Sequence, residues 1–187
     1  MTRIVAVSGS RRDGSYTLKA LRYALDAASE AGADTDLIDL GSVDLPLYHP
    51  DEGDRGDAAA LKRQVRAADG VILGSPVYHG SYSSTFRNFH DYCSKDEFED
   101  TAVGLLVVAG GGTIASTLDH MRVTVRGVRG HAVPNQVGIR NASSKFDGET
   151  LTDDGLRDRT EQLGRDVVAY ARMLTLDADA ECVPADD

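Results

Sequence analysis

The segment from residue 8 to residue 17, Ser-Gly-Ser-Arg-Arg-Asp-Gly-Ser-Tyr-Thr, combines residue types that bind a phosphate. It follows an apolar run and precedes a helical pattern, so its hydroxyls and backbone N–H groups could surround an anion at a helix N-terminus. It is not a Walker loop, because Ser15 stands where that motif has its lysine. The alternative interpretation is an ordinary strand-to-helix turn capped by Ser15 or Thr17.

Two later segments suit the binding of a flat ring. In residues 74–83, Pro76 keeps the chain extended, Tyr78 offers an aromatic face and Gly80 permits close approach of the backbone. Residues 109–115 contain three consecutive glycines, and we interpret them as a shelf against which a ring can lie. Their G-x-G-x-x-A spacing is a weak match to a dinucleotide-binding loop, because it follows the fourth predicted strand and not the first. The alternative for residues 74–83 is a turn with a surface tyrosine and a solvated histidine.

Five short apolar runs predict the strands that position these segments. The runs lie at 4–7, 37–38, 71–73, 103–109 and 132–137, about 30–35 residues apart, which is typical of βα crossover units. Between them, apolar side chains recur at helical spacing and predict five core-facing helices. These stripes are Leu18, Leu21, Leu25 and Ala28; Leu61, Val65 and Ala68; Tyr82, Phe86, Phe89 and Cys93; Ile114, Leu118, Met121, Val125 and Val128; and Leu156, Leu163, Val167, Tyr170 and Leu174.

The alternation predicts an α/β fold with a doubly wound parallel sheet. Such sheets bind ligands beyond the carboxyl ends of their strands, so function should lie in the loops after strands one, three and four. The second run alternates with aspartate and predicts an edge strand. Thr152 or Asp153 is the expected cap of the last helix. We expect one domain over residues 1–176 and an acidic, flexible tail over residues 177–187.

Composition excludes several classes of protein. The 187 residues carry 30 acidic against 20 basic side chains, a net charge of −10, so a basic face for nucleic acid is not expected. No apolar run approaches a membrane span, no leader is visible, and two cysteines cannot form a disulfide framework, so we expect a cytoplasmic protein. Acidic excess with scarce lysine favours a halophilic protein from a salty cytoplasm, where screening relieves self-repulsion; an ordinary acidic enzyme is the alternative.

Taken together and in order, the three segments resemble those of the NAD(P)H-dependent FMN reductase family. The first matches the family pattern G-S-x-R-x-x-S-x-N through Gly9, Ser10, Arg12 and Ser15, although Thr17 replaces the usual asparagine. Residues 76–81, Pro-Val-Tyr-His-Gly-Ser, resemble the flavin loop of the family, and residues 110–113 and 45–48 resemble two further segments. The likeness spans residues 3–139.

This resemblance implies a flavodoxin-like, five-stranded sheet of strand order 2-1-3-4-5 and a bound FMN. It implies that the phosphate is held by Ser10, Arg12, Ser15, Tyr16 and Thr17. It implies that the ring lies against Pro76, Val77, Tyr78, His79, Gly80 and Ser81, beside Gly111 and Gly112. It also implies a homodimer or homotetramer, with the flavin near an interface formed by the helices that start at Tyr82 and Thr113.

The function expected from the resemblance is transfer of hydride from NADPH or NADH to FMN, and then to a small acceptor such as a flavin, quinone or azo compound. The flavin carries this chemistry, so we expect no essential catalytic side chain; N–H groups at His79, Gly80 and Ser81 would stabilise charge on the reduced ring. The alternatives are a flavodoxin-type electron carrier reduced by a partner protein and a flavin-free phosphatase, for which Asp13 is the candidate nucleophile.

The remaining reactive residue types suggest no further chemistry. The five histidines lack close metal-ligand spacing, so we expect no metal. Cys93 falls on an apolar stripe and is interpreted as structural, whereas Cys182 in the tail could be a reactive thiol. Arg122, Arg126 and Arg129 form either a solvated helix face, a contact for an NADPH phosphate or a salt bridge across a dimer.

Overall fold

The computed structural model describes residues 1–181 of the chain, with side chains to residue 175. Strands and helices alternate along it, as the apolar runs predict. The elements are β1 (Arg3–Ser8), α1 (Tyr16–Glu30), β2 (Asp34–Asp39), α2 (Ala58–Arg66), β3 (Gly70–Tyr78), β4 (Ser81–Tyr82), α3 (Ser84–Tyr92), α4 (Lys95–Phe98), β5 (Ala102–Val108), α5 (Ala115–Gly127), β6 (His131–Ile139), a 3₁₀ turn (Ala142–Ser144), β7 (Phe146–Asp147), β8 (Thr150–Leu151) and α6 (Asp154–Glu181).

The sheet has the predicted doubly wound form. Its parallel strands lie in the order β2-β1-β3-β5-β6, which is 2-1-3-4-5 when only the five long strands are numbered. Within residues 1–181, strand β2 pairs with β1 alone and is the expected edge strand. Four short features were not predicted from the sequence: β4, which pairs antiparallel with the end of β3, the single-turn helix α4, the 3₁₀ turn and the β7–β8 hairpin.

Helices cover both faces of the sheet. On one face, α1 and α6 pack together and against the central strands, through small residues such as Ala20, Ala24 and Ala28 and through Leu163 and Val167. On the other face, α2, α3 and α5 bury larger side chains, which are Leu61, Val65, Phe86, Phe89, Leu118, Met121 and Val125. The predicted stripes therefore face the core, apart from Leu18, which is part-exposed at the rim of a surface cavity.

Helix α6 begins where the sequence analysis expects it. The side chain of Asp153 accepts a hydrogen bond from the Leu156 N–H at 3.1 Å and so caps the helix; Thr152 instead donates to the Lys145 carbonyl. The helix continues to Glu181, past the expected domain boundary at residue 176. That boundary and the flexible tail stay predictions, and Cys182 lies outside the described residues.

No helix within residues 1–181 is both long enough and apolar enough to cross a membrane.

Candidate cofactor site

A cavity of about 220 Å³ opens at the carboxyl ends of β1, β3 and β5. Strands β1 and β3 are neighbours although β2 lies between them in the chain, so the cavity sits at the point where the strand order reverses. Four segments of chain form its wall. They contribute Ser10, Arg12, Ser15, Tyr16, Thr17, Pro76, Val77, Tyr78, Val108, Ala109, Gly110, Ala142 and Ser143.

One end of the cavity is rich in hydroxyl groups. Ser10, Ser15 and Thr17 are buried there, whereas the side chain of Arg12 is exposed at the mouth. Ser15 caps α1, because its Oγ accepts a hydrogen bond from the Leu18 N–H at 3.2 Å. The cap uses the oxygen as acceptor and leaves the hydroxyl proton free to donate. Gly14 takes a φ of 65° in the turn before the helix, a conformation that favours glycine.

This donor set fits a phosphate group. Buried hydroxyls, the first turn of α1 and one guanidinium converge on one small volume, and each of them favours an anion. The capped-turn interpretation and the phosphate interpretation are therefore compatible, since Ser15 serves the helix through its oxygen and a ligand through its proton.

Tyr16 forms a side wall that is supported from outside the site. Its ring stacks on Phe146 of β7, with ring centroids 5.1 Å apart, and the Lys19 ammonium lies 5.5 Å from the Tyr16 ring centroid. The hairpin that carries Phe146 is itself held to α1, because the Tyr23 hydroxyl accepts a hydrogen bond from the Leu151 N–H at 2.9 Å. The sequence analysis missed this support, since Phe146 is distant from Tyr16 in the chain.

The opposite end of the cavity is a wall of Pro76, Val77 and Tyr78. The sequence analysis places these residues in a loop after the third strand; this is wrong, because β3 continues through Tyr78 and pairs with both β5 and β4. His79 and Gly80 form the two-residue turn between β3 and β4, with φ values of 51° and 76°. Positive φ at both central residues is typical of the turns that close such hairpins.

The two ends of the cavity are joined by a short chain of buried serines. The Ser75 Oγ accepts a hydrogen bond from the Ser83 N–H at 3.0 Å, and the Ser83 Oγ donates to the Gly9 carbonyl at 2.6 Å. A methyl group at Gly9 would lie 2.7 Å from Phe86 Cβ, so α3 packs directly on the first loop. The start of α3 therefore fixes the ring end relative to the phosphate end.

The glycine segment contributes less to the cavity than expected. Gly110 lines it, whereas Gly111 and Gly112 are exposed outside the lining. His79, Gly80 and Ser81 of the hairpin also lie outside the lining, His79 exposed and the other two partly buried. Space for a ligand exists over the segment, because a methyl group added at Gly110 or Gly112 would meet no described atom within 4 Å.

Three residues of the wall were missed from the sequence. Val108 ends the fourth long strand, and Ala142 and Ser143 belong to the 3₁₀ turn after the fifth. Only the loops after strands one, three and four were considered. The general rule that ligands bind at the carboxyl ends of strands would have included the loop after strand five.

Other reactive residues take structural places. Cys93 lies just beyond the end of α3, where burial raises the pKa of its thiol, so a reactive thiolate is disfavoured. Asp13 is exposed at the rim of a second cavity. Among the residues whose side chains are described, no group of three or more His, Cys, Asp or Glu could hold a metal ion.

Two of the three basic residues on α5 and just after it, Arg122 and Arg129, bind within the chain, whereas Arg126 is exposed. Arg122 donates to the Gln136 side chain at 2.7 Å and to the Val133 and Pro134 carbonyls, and so supports the bulged edge strand β6. Arg129 pairs with Glu99 at 2.5 Å. Arg122 and Arg129 are therefore engaged within the chain, which disfavours both a nucleotide contact and a salt bridge across a dimer for these two residues.

Comparison with known proteins agrees with this arrangement. The family model described as NADPH-dependent FMN reductase matches residues 2–144. An NADPH azoreductase of Bacillus sp. (strain OY1-2) is 35% identical over 169 residues, 89% of this chain and 88% of that protein. An FMN-dependent NADPH-azoreductase of Staphylococcus saprophyticus is 33% identical over 147 residues, 74% of this chain and 77% of its own.

Solved structures agree on the fold. The flavoenzyme NAD(P)H:(acceptor) oxidoreductase FerB of Paracoccus denitrificans superposes with a TM-score of 0.76 at 18% identity, over 92% of this chain and 98% of its own. A flavodoxin from the domain Archaea reaches a TM-score of 0.66 at 11% identity, over 91% of this chain and 99% of its own. The flavodoxin-like fold is thus confirmed, and the flavodoxin-type carrier and the flavin-free phosphatase are both disfavoured by the family match. The chain belongs to the NADPH-dependent FMN reductase family and is an FMN-dependent oxidoreductase with NADPH as its electron donor.

Proposed function

We propose that the cavity at the ends of β1, β3 and β5 holds FMN and that this protein passes electrons from NADPH to an azo compound. The observation that carries the proposal is one cavity that joins a buried hydroxyl cluster at the N-terminus of α1 to an apolar wall. FMN has the matching polarity, with an anionic phosphate at one end and a flat ring at the other.

The phosphate is assigned to the hydroxyl end. Ser10, Ser15 and Thr17 supply hydroxyl groups there, Tyr16 closes the side, and Arg12 at the mouth offers a charge-assisted pair of hydrogen bonds. The first-turn N–H groups of α1 add the favourable field of the helix N-terminus. An exposed arginine costs little to hold near an anion, since water still solvates its outer face.

The ring is assigned to the apolar end. Pro76 and Val77 provide a flat wall, and Tyr78, which is 52% exposed, extends it outward. The turn residues His79 and Gly80, with Ser81, continue the wall beyond the cavity, opposite the open surface over Gly111 and Gly112. A ring between these two segments would keep one face accessible to a second flat molecule.

Bound FMN would accept hydride from NADPH and return electrons to an acceptor. The side chains of this protein then need only to bind and orient, and no acid or base among them is assigned a catalytic role. The backbone N–H groups of the 79–81 turn are the donors best placed to stabilise negative charge at the ring edge. The azo acceptor is proposed from the named activity of the two curated relatives, and free flavins and quinones are the competing acceptors.

The proposal includes an assembly and a compartment. The cavity is small for a whole flavin, since ligand sites commonly span about 300–1,000 Å³, and Tyr78 at its ring end is 52% exposed. Helices α3 and α5 start just after the hairpin and the glycine segment, and a second copy of the chain packed on them would cover the exposed ring. We propose a homodimer or homotetramer in the cytoplasm.

The acidic surface is proposed as a halophilic adaptation. A net charge of −10 destabilises the compact state through self-repulsion, and about 1 M salt shortens the Debye length to about 3 Å. The melting temperature should therefore rise by about 5 °C or more between about 0.1 M and about 2 M KCl. A melting temperature independent of KCl would contradict the adaptation.

The main test is the visible spectrum of the protein purified with FMN at high salt, before and after NADPH is added without oxygen. A yellow spectrum that bleaches, and returns when an azo dye is added and decolourised, supports the proposal. Flavin that NADPH does not bleach would contradict it, as would dye that is not consumed.

The assignment of the phosphate to the hydroxyl end can be tested by substituting two adjacent arginines, Arg12 and Arg11. Arg12→Ala should weaken FMN binding about 30-fold, the equivalent of a lost charged hydrogen bond of about 2 kcal/mol. Arg11→Ala is the matched control, because Arg11 is equally exposed but does not line the cavity, and its dissociation constant should stay within about threefold of the parent. Equal losses in the two variants would contradict the assignment of the phosphate.

A further inference from the structure

We infer that Ser116 and His120 on α5 are positioning residues that hold the 79–81 turn in the orientation required at the ring end. The inference rests on the proposed FMN site. Its basis is a pair of side-chain hydrogen bonds that run from one helix to consecutive residues of the turn. The Ser116 Oγ donates to the Gly80 carbonyl at 2.9 Å, and the His120 Nδ1 lies 3.1 Å from the Ser81 Oγ.

The two α5 residues act from one face of the helix. Residues four apart in an α-helix lie one above the other, so Ser116 and His120 reach the same hairpin together. The His120 ring also meets the Tyr82 ring edge-on, with centroids 6.4 Å apart and planes at 76°. Three successive hairpin residues, Gly80, Ser81 and Tyr82, are thus held by a single helical turn.

The turn needs such support because its backbone is unusual. His79 has a φ of 51°, a backbone conformation that residues other than glycine rarely adopt. Gly80 has a φ of 76°, and its backbone can rotate more freely than that of other residues. The β3–β4 pairing joins Tyr78 to Ser81 and Val77 to Tyr82, so the N–H groups of His79 and Gly80 lie outside that ladder. The Gly80 carbonyl belongs to the peptide that joins Gly80 to Ser81, so holding it orients that peptide and restricts the conformation of the turn whose amides a ring edge can meet.

The same helix also positions the segment on the other side of the ring. Helix α5 starts at Ala115, directly after the glycine segment, and is anchored by buried Leu118 and Met121. At its N-cap, Ile114 packs so closely on β6 that a methyl group at Gly138 would lie 2.0 Å from its Cδ1. Helix α5 consequently sets the spacing between the glycine segment and the turn, because it follows the first directly and binds the second through Ser116 and His120.

The positioning role of Ser116 and His120 can be tested separately from the overall stability of the domain. His120 is exposed, and Ser116 is partly exposed, so truncating either side chain removes little buried surface. The hydrogen bonds join the helix only to the hairpin, and their loss should loosen the hairpin without unfolding the domain.

The first experiment measures amide hydrogen exchange at Tyr78 and Ser81, which pair across the base of the turn, in flavin-free protein. Ser116→Ala should speed exchange there about fivefold, the equivalent of one net hydrogen bond, and leave the β1 and β5 amides unchanged. Ser116→Thr keeps the hydroxyl and should restore slow exchange. Unchanged exchange in Ser116→Ala would overturn the inference whether or not the protein binds FMN.

The second experiment measures the FMN dissociation constant by flavin fluorescence and the midpoint potential of the bound flavin. Ser116→Ala and His120→Ala should each weaken binding about fivefold, and more strongly for reduced FMN, so that the potential falls by about 20 mV for a fivefold difference. Asp119→Ala, at the exposed neighbouring position, is the control and should match the parent protein.

The outcomes separate the two hypotheses. If the parent protein binds FMN and both variants match it in affinity and potential, the positioning role is wrong and the proposed site stands. If the parent protein retains no FMN, the proposed site is wrong, whereas the exchange result still decides whether α5 holds the turn. If the variants lose FMN affinity and their unfolding free energy falls by as much as their binding free energy, a specific positioning role would also be overturned.

Discussion

The phosphate end and the ring end of the site are built on opposite faces of the sheet and by different kinds of contact. The phosphate end rests on α1, which meets α6 backbone to backbone at Gly164. The ring end rests on α3 and α5, which bury large side chains such as Phe86, Phe89 and Met121 and hold the hairpin by hydroxyl and imidazole groups. The close contact between the backbones of α1 and α6 leaves no space for an added side-chain atom. The packing of α3 and α5 depends on individual side chains, which single substitutions can change.

The largest effect is expected where α1 and α6 touch. A methyl group at Gly164 would lie 1.9 Å from the Ala24 carbonyl oxygen, and neither helix backbone can give way locally. Gly164→Ala should therefore force the helices apart and lower the free energy of unfolding by about 4 kcal/mol, at the upper end of overpacking effects. Urea unfolding at high KCl measures it.

Gly155 provides the matched control in the same helix. A methyl group there would meet only the Asp153 carboxylate at 3.6 Å, and alanine favours a helix over glycine. Gly155→Ala should leave stability unchanged or raise it by about 0.5–1 kcal/mol. If the two variants unfold at the same urea concentration, the contact between α1 and α6 is not as close as described.

The next largest effect is a pH dependence of stability on the opposite face of the sheet, where a histidine is buried among aromatic rings. His90 lies between Phe86 and Phe98, each 5.9 Å away between centroids, and its Nε2 finds no hydrogen-bond partner within the described part of the chain. Burial, assisted by the positive charge of Arg87 and opposed by Asp91, lowers the pKa of His90 from 6.5 to about 4.

Because the folded pKa of His90 lies below the unfolded value, its contribution to stability is complete above about pH 6.5. It declines as the pH falls toward 4 and then levels off, with a loss of about 3 kcal/mol. His90→Leu should flatten the unfolding free energy between pH 6.5 and 4, whereas His131→Gln, at a half-exposed site, should not. A parent protein equally stable at both pH values would contradict the buried neutral state.

The same contrast explains how far the sequence could predict the structure. The phosphate end is one continuous segment, so Ser10, Arg12 and Ser15 could be read from local spacing. The ring end depends on contacts between distant residues, such as Ser116 with Gly80, which no local pattern reports. The turn was missed because His-Gly is not the Asn-Gly or Asp-Gly that usually marks it.

The fold itself was more predictable than the site. Apolar runs buried on both faces and helical stripes are strong signals, and they predicted the five long strands, whereas the strand order came from the family resemblance. Val108, Ala109 and Ala142 line the cavity with small or apolar side chains of no distinctive chemistry. Only their position at the ends of strands identifies them, and that position requires the assembled sheet.

The smallest predicted effects compare the two serine caps that begin the helices of the site. At the phosphate end, Ser15 accepts one hydrogen bond, from the Leu18 N–H at 3.2 Å. At the ring end, Ser83 accepts from the Phe86 N–H at 3.0 Å and also donates to the buried Gly9 carbonyl at 2.6 Å. Ser15→Ala should cost about 1 kcal/mol of stability and Ser83→Ala about 2 kcal/mol, since the second leaves a buried carbonyl without its partner.

The effects on flavin binding should run in the opposite order. Ser15 touches the proposed phosphate position directly, so Ser15→Ala should weaken FMN binding about tenfold, whereas Ser83→Ala acts only through the packing of α3. Urea unfolding and FMN titration of both variants give the two rankings. If Ser15→Ala is the more destabilising and the less harmful to FMN binding, Ser15 serves as a structural cap alone and does not hold the phosphate.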